Sequence, residues 1–575
     1  MLKLLKMLKT YKWFVSLVLI LVFLQTLSQL YLPTLMADIV DKGIVNEDIA
    51  YIIKIGLFML LVSVATMVTS VLASYFSAKV AVGFGRDLRK RVFTYVEKFS
   101  LQEFNKIGTA SLITRTTNDI NQIQQVLIMM LRMMITAPMM AIGGIIMAVS
   151  KDVKLSLVFV VVIPILMLTI SLVAMKGMPL FKVMQKKLDR LNLVFREYLT
   201  GIRVIRSFNR DKYEIKRYDE TNRDFMDTAT KVNKLMASMM PIMMIILNFS
   251  TVAIIWFGSI RIDNGAMQVG DLMAFIQYGM QIMFSFIMVS IIFVMIPRAQ
   301  VSATRINEVL DMELEIKDHK EPSETSAKYG YVTFDHVTFS YPGAEKPALV
   351  DITFEAKPGE VTAIIGGTGA GKSTLISLIP RFYDIDSGSI LIDEVDVRKL
   401  SQEDLRKKIG LTPQKATLFT GTVAENIRYG KQEATEEDVK HAAAVAQATE
   451  FVSEMKEGFD SLITQGGSNV SGGQKQRLSI ARTIVKKPEI YLLDDSFSAL
   501  DFKTEAKLRK ALSAEIKQAT VFIVAQRVAT VMDADRIIVL DEGEVAGIGT
   551  HKELMKTCDV YQEIVSTQLS EEESA

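Results

Sequence analysis

Residues 366–374 read Gly366-Gly367-Thr368-Gly369-Ala370-Gly371-Lys372-Ser373-Thr374. The apolar run before them, Val-Thr-Ala-Ile-Ile at 361–365, predicts a buried strand, and the residues after Lys372 open a helix. This order of strand, glycine-rich loop and helix is typical of a phosphate-binding loop. The glycines let backbone N–H groups approach phosphate oxygens, and the helix N-terminus adds partial positive charge. We expect Lys372 to bridge the β- and γ-phosphates and Ser373 to ligate Mg²⁺.

A second apolar run, Glu-Ile-Tyr-Leu-Leu at 489–493, ends in Asp494. It predicts a parallel strand beside the strand of the phosphate loop, with its terminal carboxylate directed to Mg²⁺. Asp494 taken alone also fits a helix N-cap, but the phosphate loop upstream favours the metal. From Tyr331 onward, short β-rich runs alternate with helical patterns, which predicts an α/β domain with a mostly parallel sheet.

The N-terminal half has a different chemistry. Half of the 575 residues are hydrophobic, the mean hydropathy is +0.27, and 28 of the 32 methionines precede residue 301. Six charge-free runs are long enough to cross a bilayer as helices, at residues 13–35, 55–78, 133–150, 155–175, 235–260 and 272–297. The third run is short, and Arg132 is the only charge between Asp119 and Lys151, so its helix is expected to begin earlier. The lysines before the first run suggest a secretory signal, but that run is too long for one and lacks a clear small-residue cleavage site.

Basic residues predict the orientation of these spans. Residues 76–125 carry eight Lys and Arg and residues 177–234 carry fourteen, whereas 36–50, 150–154 and 259–269 carry four in total. The two long loops are therefore expected in the cytoplasm, together with the N-terminus and the phosphate-loop half. Their apolar and charged residues alternate at helical spacing, which predicts helices continuing out of the membrane, with Gly108 and Gly201 near the turns.

Composition also excludes several classes of function. The net charge of +2 gives no global basic field, so we expect no nucleic-acid partner. The single cysteine, Cys558, excludes an internal disulfide, and the four scattered histidines make a histidine-based metal site improbable.

Polar residues inside the spans are candidates for a substrate path, since such residues face the bundle interior or a water-filled cavity. The alternative is that they only form hydrogen bonds between helices or snorkel. Methionine suits promiscuous surfaces, yet it also serves as an ordinary gap-filling or lipid-facing residue. The candidate cavity residues are Arg132, Asn248, Gln277 and Gln281.

The segment Val470-Ser471-Gly472-Gly473-Gln474 resembles the signature motif of ABC transporters, and its spacing from the phosphate loop and from Asp494 is similar to theirs. Six spans followed by one nucleotide-binding domain resemble an ABC exporter half-transporter, over essentially the whole chain. The resemblance implies ATP and Mg²⁺ as cofactors, and a head-to-tail dimer in which Ser471, Gly472, Gly473 and Gln474 contact the partner's ATP. It further implies that Tyr341 stacks on adenine, that Gln414 touches Mg²⁺, that Asp501 belongs to the D-loop, and that residues 101–109 and 209–214 are the coupling helices.

Two positions depart from the family pattern. Asp495 stands where a glutamate usually orients the attacking water, and Gln526 stands where a histidine is usual. Aspartate is one methylene shorter, and a misplacement of about 1 Å can lower a rate about a hundredfold. Glutamine can donate a hydrogen bond but cannot carry the charge or proton of an imidazole. We therefore expect both catalytic positions to be degenerate, with ATP bound but poorly hydrolysed; tolerated drift that preserves activity is the alternative.

This asymmetry resembles the heterodimeric bacterial multidrug exporters. The resemblance to ABC exporters, together with the change of composition along the chain, implies a multi-pass plasma-membrane protein. It has a membrane α-helical bundle at 1–311, a linker at 312–327 and an α/β nucleotide-binding domain at 328–575. The expected partners are a second half-transporter carrying the catalytic Glu and His, the lipid bilayer, and hydrophobic or cationic small molecules as substrates. A lipid or lipid-linked-glycan flippase and a nucleotide-gated regulator remain as alternatives.

Overall fold

The structure is a computed structural model, and it describes residues 1–319 and 329–572. The chain divides into two units. The first comprises Met1–Glu97 and Thr109–Met312, and the second comprises Lys98–Gly108 and the residues from Glu313 onward. Of the expected linker, residues 312–319 contain no helix or strand, and 320–327 lie outside the described residues.

The first unit consists of long helices. Its sequence contains long apolar stretches, and where no water is available a helix satisfies the backbone N–H and C=O groups within the segment itself. The short helix α4 (Leu101–Ile107) belongs to the second unit. The helices of the first unit are α1 (Leu2–Leu5), α2 (Lys12–Asp38), α3 (Ile49–Val96), α5 (Thr109–Thr114), α6 (Ile120–Lys151), α7 (Leu157–Thr200), α8 (Ile202–Ser207), α9 (Asp211–Asp263) and α10 (Val269–Leu310). Residues 6–11 form a 3₁₀ turn, and residues 39–44 and 115–119 are π-helical.

Six of the described helical segments are long and apolar enough to cross a membrane, as the sequence predicts. The third begins well before residue 133, and the expected cytoplasmic loops are largely helical continuations of the spans. At 1.5 Å per residue the 48 residues of α3 extend about 72 Å, more than twice the thickness of a hydrocarbon core. Gly108 turns between α4 and α5 with a φ of 79°, and Gly201 joins α7 to α8. The second short helix spans Ile202–Ser207, so residues 209–214 are instead a turn and the start of α9.

At the end opposite these extensions, charged groups connect the helices. The Asp41 carboxylate accepts hydrogen bonds from the backbone N–H groups of Gly270 (2.6 Å) and Asp271 (3.1 Å), and so caps α10. Lys151 pairs with Asp271 at 2.7 Å, and Arg261 pairs with Asp152 at 2.8 Å. These contacts join α2, α6, α9 and α10 at one end of the bundle.

The second unit contains two main sheets. A four-stranded antiparallel sheet has the order β2-β1-β4-β5, and a six-stranded sheet has the order β12-β11-β3-β10-β9-β6, parallel except for β12. The strands are β1 (Val332–Phe339), β2 (Leu349–Ala356), β3 (Val361–Gly366), β4 (Ser387–Ile392), β5 (Val395–Asp396), β6 (Ile409–Thr412), β7 (Gly421–Thr422), β8 (Leu462–Ile463), β9 (Ile490–Asp494), β10 (Thr520–Val524), β11 (Arg536–Asp541) and β12 (Glu544–Gly549). The helices are α4, α11 (Lys372–Leu378), α12 (Gln402–Lys408), α13 (Val423–Arg428), α14 (Glu436–Val445), α15 (Thr449–Glu454), α16 (Gly472–Val485), α17 (Phe502–Glu515), α18 (Val528–Val531), α19 (His551–Thr557) and α20 (Asp559–Glu572).

The expected α/β architecture is confirmed, but one detail of strand order was wrong. Strand β9 does not lie beside β3, because β10 lies between them and pairs with both. All three strands are parallel and almost fully buried, so their carboxyl ends reach the same edge of the sheet. The loops that follow β3, β9 and β10 therefore begin at one edge, which is where ligands bind in open α/β sheets.

Candidate functional site

The phosphate loop (Gly366–Ser373) leaves the sheet at the end of β3 and enters α11. Gly371 caps α11 with a φ of 95°, and a Cβ there would lie 2.7 Å from Leu349 Cδ2 and 2.8 Å from the Ala348 oxygen. At Gly367, by contrast, an added Cβ would meet no atom within 4 Å. The loop conformation therefore depends on glycine at residue 371 and leaves open space at residue 367.

Lys372 lies against this loop. Its ammonium group donates hydrogen bonds to the carbonyl oxygens of Gly366 (2.9 Å) and Gly367 (2.6 Å). Burial lowers the pKa of Lys372, and the negative charges of Asp495 and Asp494 act in the opposite direction. The ammonium group is thus held against the backbone at the start of the loop.

Ser373 and Asp494 meet across the intervening strand β10. The Ser373 hydroxyl donates to Asp494 Oδ1 at 2.9 Å. Burial raises the pKa of Asp494, as does the charge of Asp495, while the Ser373 hydrogen bond and Lys372 lower it. A hydroxyl and a carboxylate oxygen at this distance form a donor set that suits Mg²⁺, which prefers hard oxygen ligands.

Asp495, the residue after β9, accepts hydrogen bonds from two side chains that follow neighbouring strands. Asp495 is buried, has a φ of 44°, and its Oδ2 accepts hydrogen bonds from Gln526 Nε2 (3.0 Å) and Gln414 Nε2 (3.2 Å). Gln526 follows β10 and Gln414 follows β6, so strand order brings the three side chains together. We call Gln414, Asp495 and Gln526 the Asp495 cluster. Within the described residues, the side-chain contact found for Gln414 is with Asp495 and not with the Ser373–Asp494 pair.

Tyr341 lies beside the phosphate-loop helix. Its hydroxyl is 3.0 Å from the Thr374 hydroxyl, and its ring makes edge contacts with Phe339 and Tyr383 at centroid distances of 5.0 and 5.4 Å. The residue is 37% exposed. The ring is thus anchored by its neighbours and partly exposed near the loop.

Residues 471–474 form the N-terminus of α16. The Ser471 hydroxyl accepts from Gln474 N at 3.3 Å, and Gln474 Oε1 accepts from Ser471 N at 2.8 Å, which makes a capping box. Ser471 and Gly472 are exposed, and no hydrogen bond in the described parts of the chain joins them to the phosphate loop. Gly473 packs closely, since an added Cβ would lie 3.0 Å from the Ala499 oxygen. The segment therefore presents a helix N-terminus to solvent.

Asp501 caps another helix, α17. Its carboxylate accepts from Thr504 N at 2.9 Å, and hydrogen bonds from Thr504 hold the pKa of Asp501 below its ordinary value. In this structure Asp501 is therefore a negatively charged N-cap next to the loop that leaves Asp495.

In the first unit, three of the four predicted polar residues line one cavity of about 640 Å³ between α2, α6 and α10. Asn248 does not line it, and is exposed on α9. Sequence reasoning missed Gln25 and Gln29, whose spacing of four residues in an apolar run was the available signal. The lining residues are Gln25, Gln29, Leu32, Pro33, Ile128, Met129, Arg132, Met133, Thr136, Met140, Gln277, Gln281 and Met288.

Two family models match the chain: the ABC transporter transmembrane region over residues 15–286 and the ABC transporter domain over residues 349–498. The chain is an ABC exporter half-transporter. It is 41% identical to an ABC transporter ATP-binding protein of Mycobacterium tuberculosis over 97% of both chains. It is 32% identical to the ATP-dependent lipid A-core flippase of Desulfotalea psychrophila over 93% of both.

A solved bacterial Atm1-family ABC exporter with ATP bound superimposes on this half-transporter with a TM-score of 0.82. The two share 26% identity over 97% of this chain and 98% of that one. This half-transporter thus combines six candidate membrane helices with an ABC nucleotide-binding domain, and belongs to the transporters that hydrolyse ATP.

Proposed function

We propose that this half-transporter is one subunit of a heterodimeric ATP-driven multidrug exporter, that its own ATP site hydrolyses slowly, and that its signature segment completes the partner's catalytic site. The Asp495 cluster carries the proposal. The Asp495 carboxylate receives two amide hydrogen bonds on one oxygen, from side chains that cannot take up a proton. A general base needs an oxygen aimed at the attacking water, and the shorter aspartate already has one of its two oxygens engaged by its neighbours.

The groups that bind ATP support the other half of the proposal. The phosphate loop, Lys372 and the accessible ring of Tyr341 provide contacts for phosphates and base. Ser373 and Asp494 would hold Mg²⁺, with Gln414 as the expected third ligand, since their oxygen atoms suit that ion. When bound, Mg²⁺ would neutralise charge on the phosphates. This site keeps the groups that bind ATP, whereas Asp495 and Gln526 stand where a glutamate and a histidine are usual. We therefore expect it to bind ATP tightly and to release it slowly.

The partner is inferred from the same asymmetry. Ser471 and Gly472 are exposed at the N-terminus of α16, and N–H groups there suit the γ-phosphate of another chain's ATP. If the partner carries the usual Glu and His, its own ATP site would have both catalytic residues, and the signature segment of this chain would complete it. ATP binding would then close the two nucleotide domains and turn the membrane cavity outward, and hydrolysis at the partner's site would reset it.

Transport of a lipid is the second candidate function. It is favoured by Arg132 in the membrane cavity and by the 32% identity to a protein named as a lipid A-core flippase. On either reading we place the protein in the plasma membrane, with its nucleotide domain and N-terminus in the cytoplasm, as its basic loops predict.

The test compares the full-length chain alone with the chain coexpressed with a half-transporter that carries the usual Glu and His. Alone, it should bind ATP and show little ATPase activity; the complex should hydrolyse ATP and accumulate fluorescent drugs in inside-out vesicles. Vigorous hydrolysis by the chain alone would contradict the heterodimer. Movement of labelled lipids without any drug would favour the flippase.

A further inference from the structure

We propose that the membrane cavity binds an amphiphile with an anionic headgroup, and that Arg132 receives the anion. The inference rests on the proposed transport function, because it names the substrate class of the cavity described above. Its basis is the chemistry of thirteen lining residues on α2, α6 and α10.

Charge is the first argument. Arg132 is the one charged residue among the thirteen, and none of them is acidic. No carboxylate of the described residues lies within ion-pair distance of its guanidinium, whereas Arg115, Arg261 and Arg305 of the same unit all have acidic partners. An arginine in a membrane span is costly without a partner or water. A bound anion would supply the missing charge.

The amides are the second argument. Gln25 and Gln29 on α2 and Gln277 and Gln281 on α10 are each four residues apart, so each pair lies on one helix face. Gln281 Nε2 donates to the Gln29 carbonyl oxygen at 3.2 Å, while Gln281 Oε1 is buried and has no partner among the described residues. The amide groups of the four glutamines carry N–H donors, which suit the oxygen atoms of an anionic headgroup.

The rest of the lining suits an apolar chain. Met129, Met133, Met140 and Met288 supply flexible, polarisable walls that adapt to different hydrocarbon shapes. The thirteen lining residues include neither a carboxylate nor an aromatic ring, the two groups that usually bind organic cations. The cationic substrates expected from the sequence thus find no obvious partner here.

The experiment measures binding without ATP, using the full-length chain and any copurifying partner in phosphatidylcholine nanodiscs. The probes are dansyl-labelled undecanoate and its uncharged methyl ester. The Arg132→Gln variant should bind the carboxylate about tenfold or more weakly, as expected for a lost charged hydrogen bond, and the ester unchanged. Arg132→Lys should retain the preference for the anion, and Met133→Leu is the matched control that alters the lining but not the charge.

Competitors distinguish the sources of the anion. Displacement by dodecyl phosphate indicates a free amphiphile, and displacement only by phosphatidic acid in the disc indicates a lipid; both support the proposal. Equal binding of carboxylate and ester by the unmodified protein would overturn it, as would better displacement by dodecyltrimethylammonium. Because no ATP is present, failure of coupled transport would contradict the proposed function and leave this result intact.

Discussion

The phosphate loop and the Asp495 cluster lie at the same edge of one parallel sheet, yet they are fixed in different ways. The loop is shaped by backbone, by the positive φ of Gly371 and by carbonyl contacts of Lys372. The cluster is held by side-chain hydrogen bonds from Gln414 and Gln526 to a single carboxylate oxygen. Substitutions at Asp495 and Gln526 would therefore alter the cluster and leave the backbone of the phosphate loop in place, which is what the proposed function requires.

Removing the Lys372 ammonium group should have the largest effect. In the full-length chain, Lys372→Ala should weaken ATP binding about a hundredfold, because several charge-assisted contacts to phosphate are lost together. Calorimetric titration measures the change. Lys440→Ala, at an exposed pair with Glu436, is the control and should bind normally. Unchanged affinity in Lys372→Ala would refute the assignment of this loop.

Replacing Asp495 and Gln526 by the residues usual in the family tests the role of the Asp495 cluster in hydrolysis. Asp495→Glu combined with Gln526→His, in the complex, should raise hydrolysis at this site about tenfold to a hundredfold, because the carboxylate regains its reach and an imidazole replaces an amide. Single-turnover measurements with the partner's site inactivated report it. An unaltered rate would place the defect outside Asp495 and Gln526, with the partner's signature segment the next to test.

Two alanine substitutions test whether the backbone conformation of Gly371 fixes the phosphate loop. Gly371→Ala should destabilise the protein by about 1–3 kcal/mol, because its φ and the 2.7 Å approach to Leu349 exclude a side chain. Gly367→Ala is the matched control, with no atom within 4 Å of its Cβ, and should leave thermal unfolding unchanged. Equal effects would mean that the loop is not fixed by Gly371.

The smallest expected effect is that of pH on Mg²⁺ binding by Asp494. Burial raises the pKa of Asp494, so this carboxyl takes up a proton at a higher pH than a free aspartate does. As the pH falls through that raised pKa, the neutral acid should lose its hold on Mg²⁺, and the Mg²⁺-dependent part of ATP affinity should fall a few-fold. Asp494→Asn should already lack this dependence at neutral pH. A profile that changes only at the pH of an exposed aspartate would argue against the burial effect.

Sequence reasoning reached the motifs and the six spans because both depend on local order: a glycine loop between strand and helix, and apolar runs of membrane length. It placed β9 beside β3 wrongly, since the insertion of β10 depends on pairing between strands distant in sequence. The contact between Gln414, Asp495 and Gln526 arises from that same strand order. Gln25 and Gln29 were overlooked although the same reasoning named Gln277 and Gln281; their position facing the cavity depends on how α2 packs against α6 and α10, which the sequence of α2 alone does not give.

The charged contacts that join α2, α6, α9 and α10 lie mostly out of contact with water. Asp41 caps α10, and the Lys151–Asp271 and Arg261–Asp152 pairs hold neighbouring helix ends. Because the Asp152 side chain is almost fully buried, dissolved salt should screen the Arg261–Asp152 pair only weakly, and this contact should persist over a wide range of ionic strength.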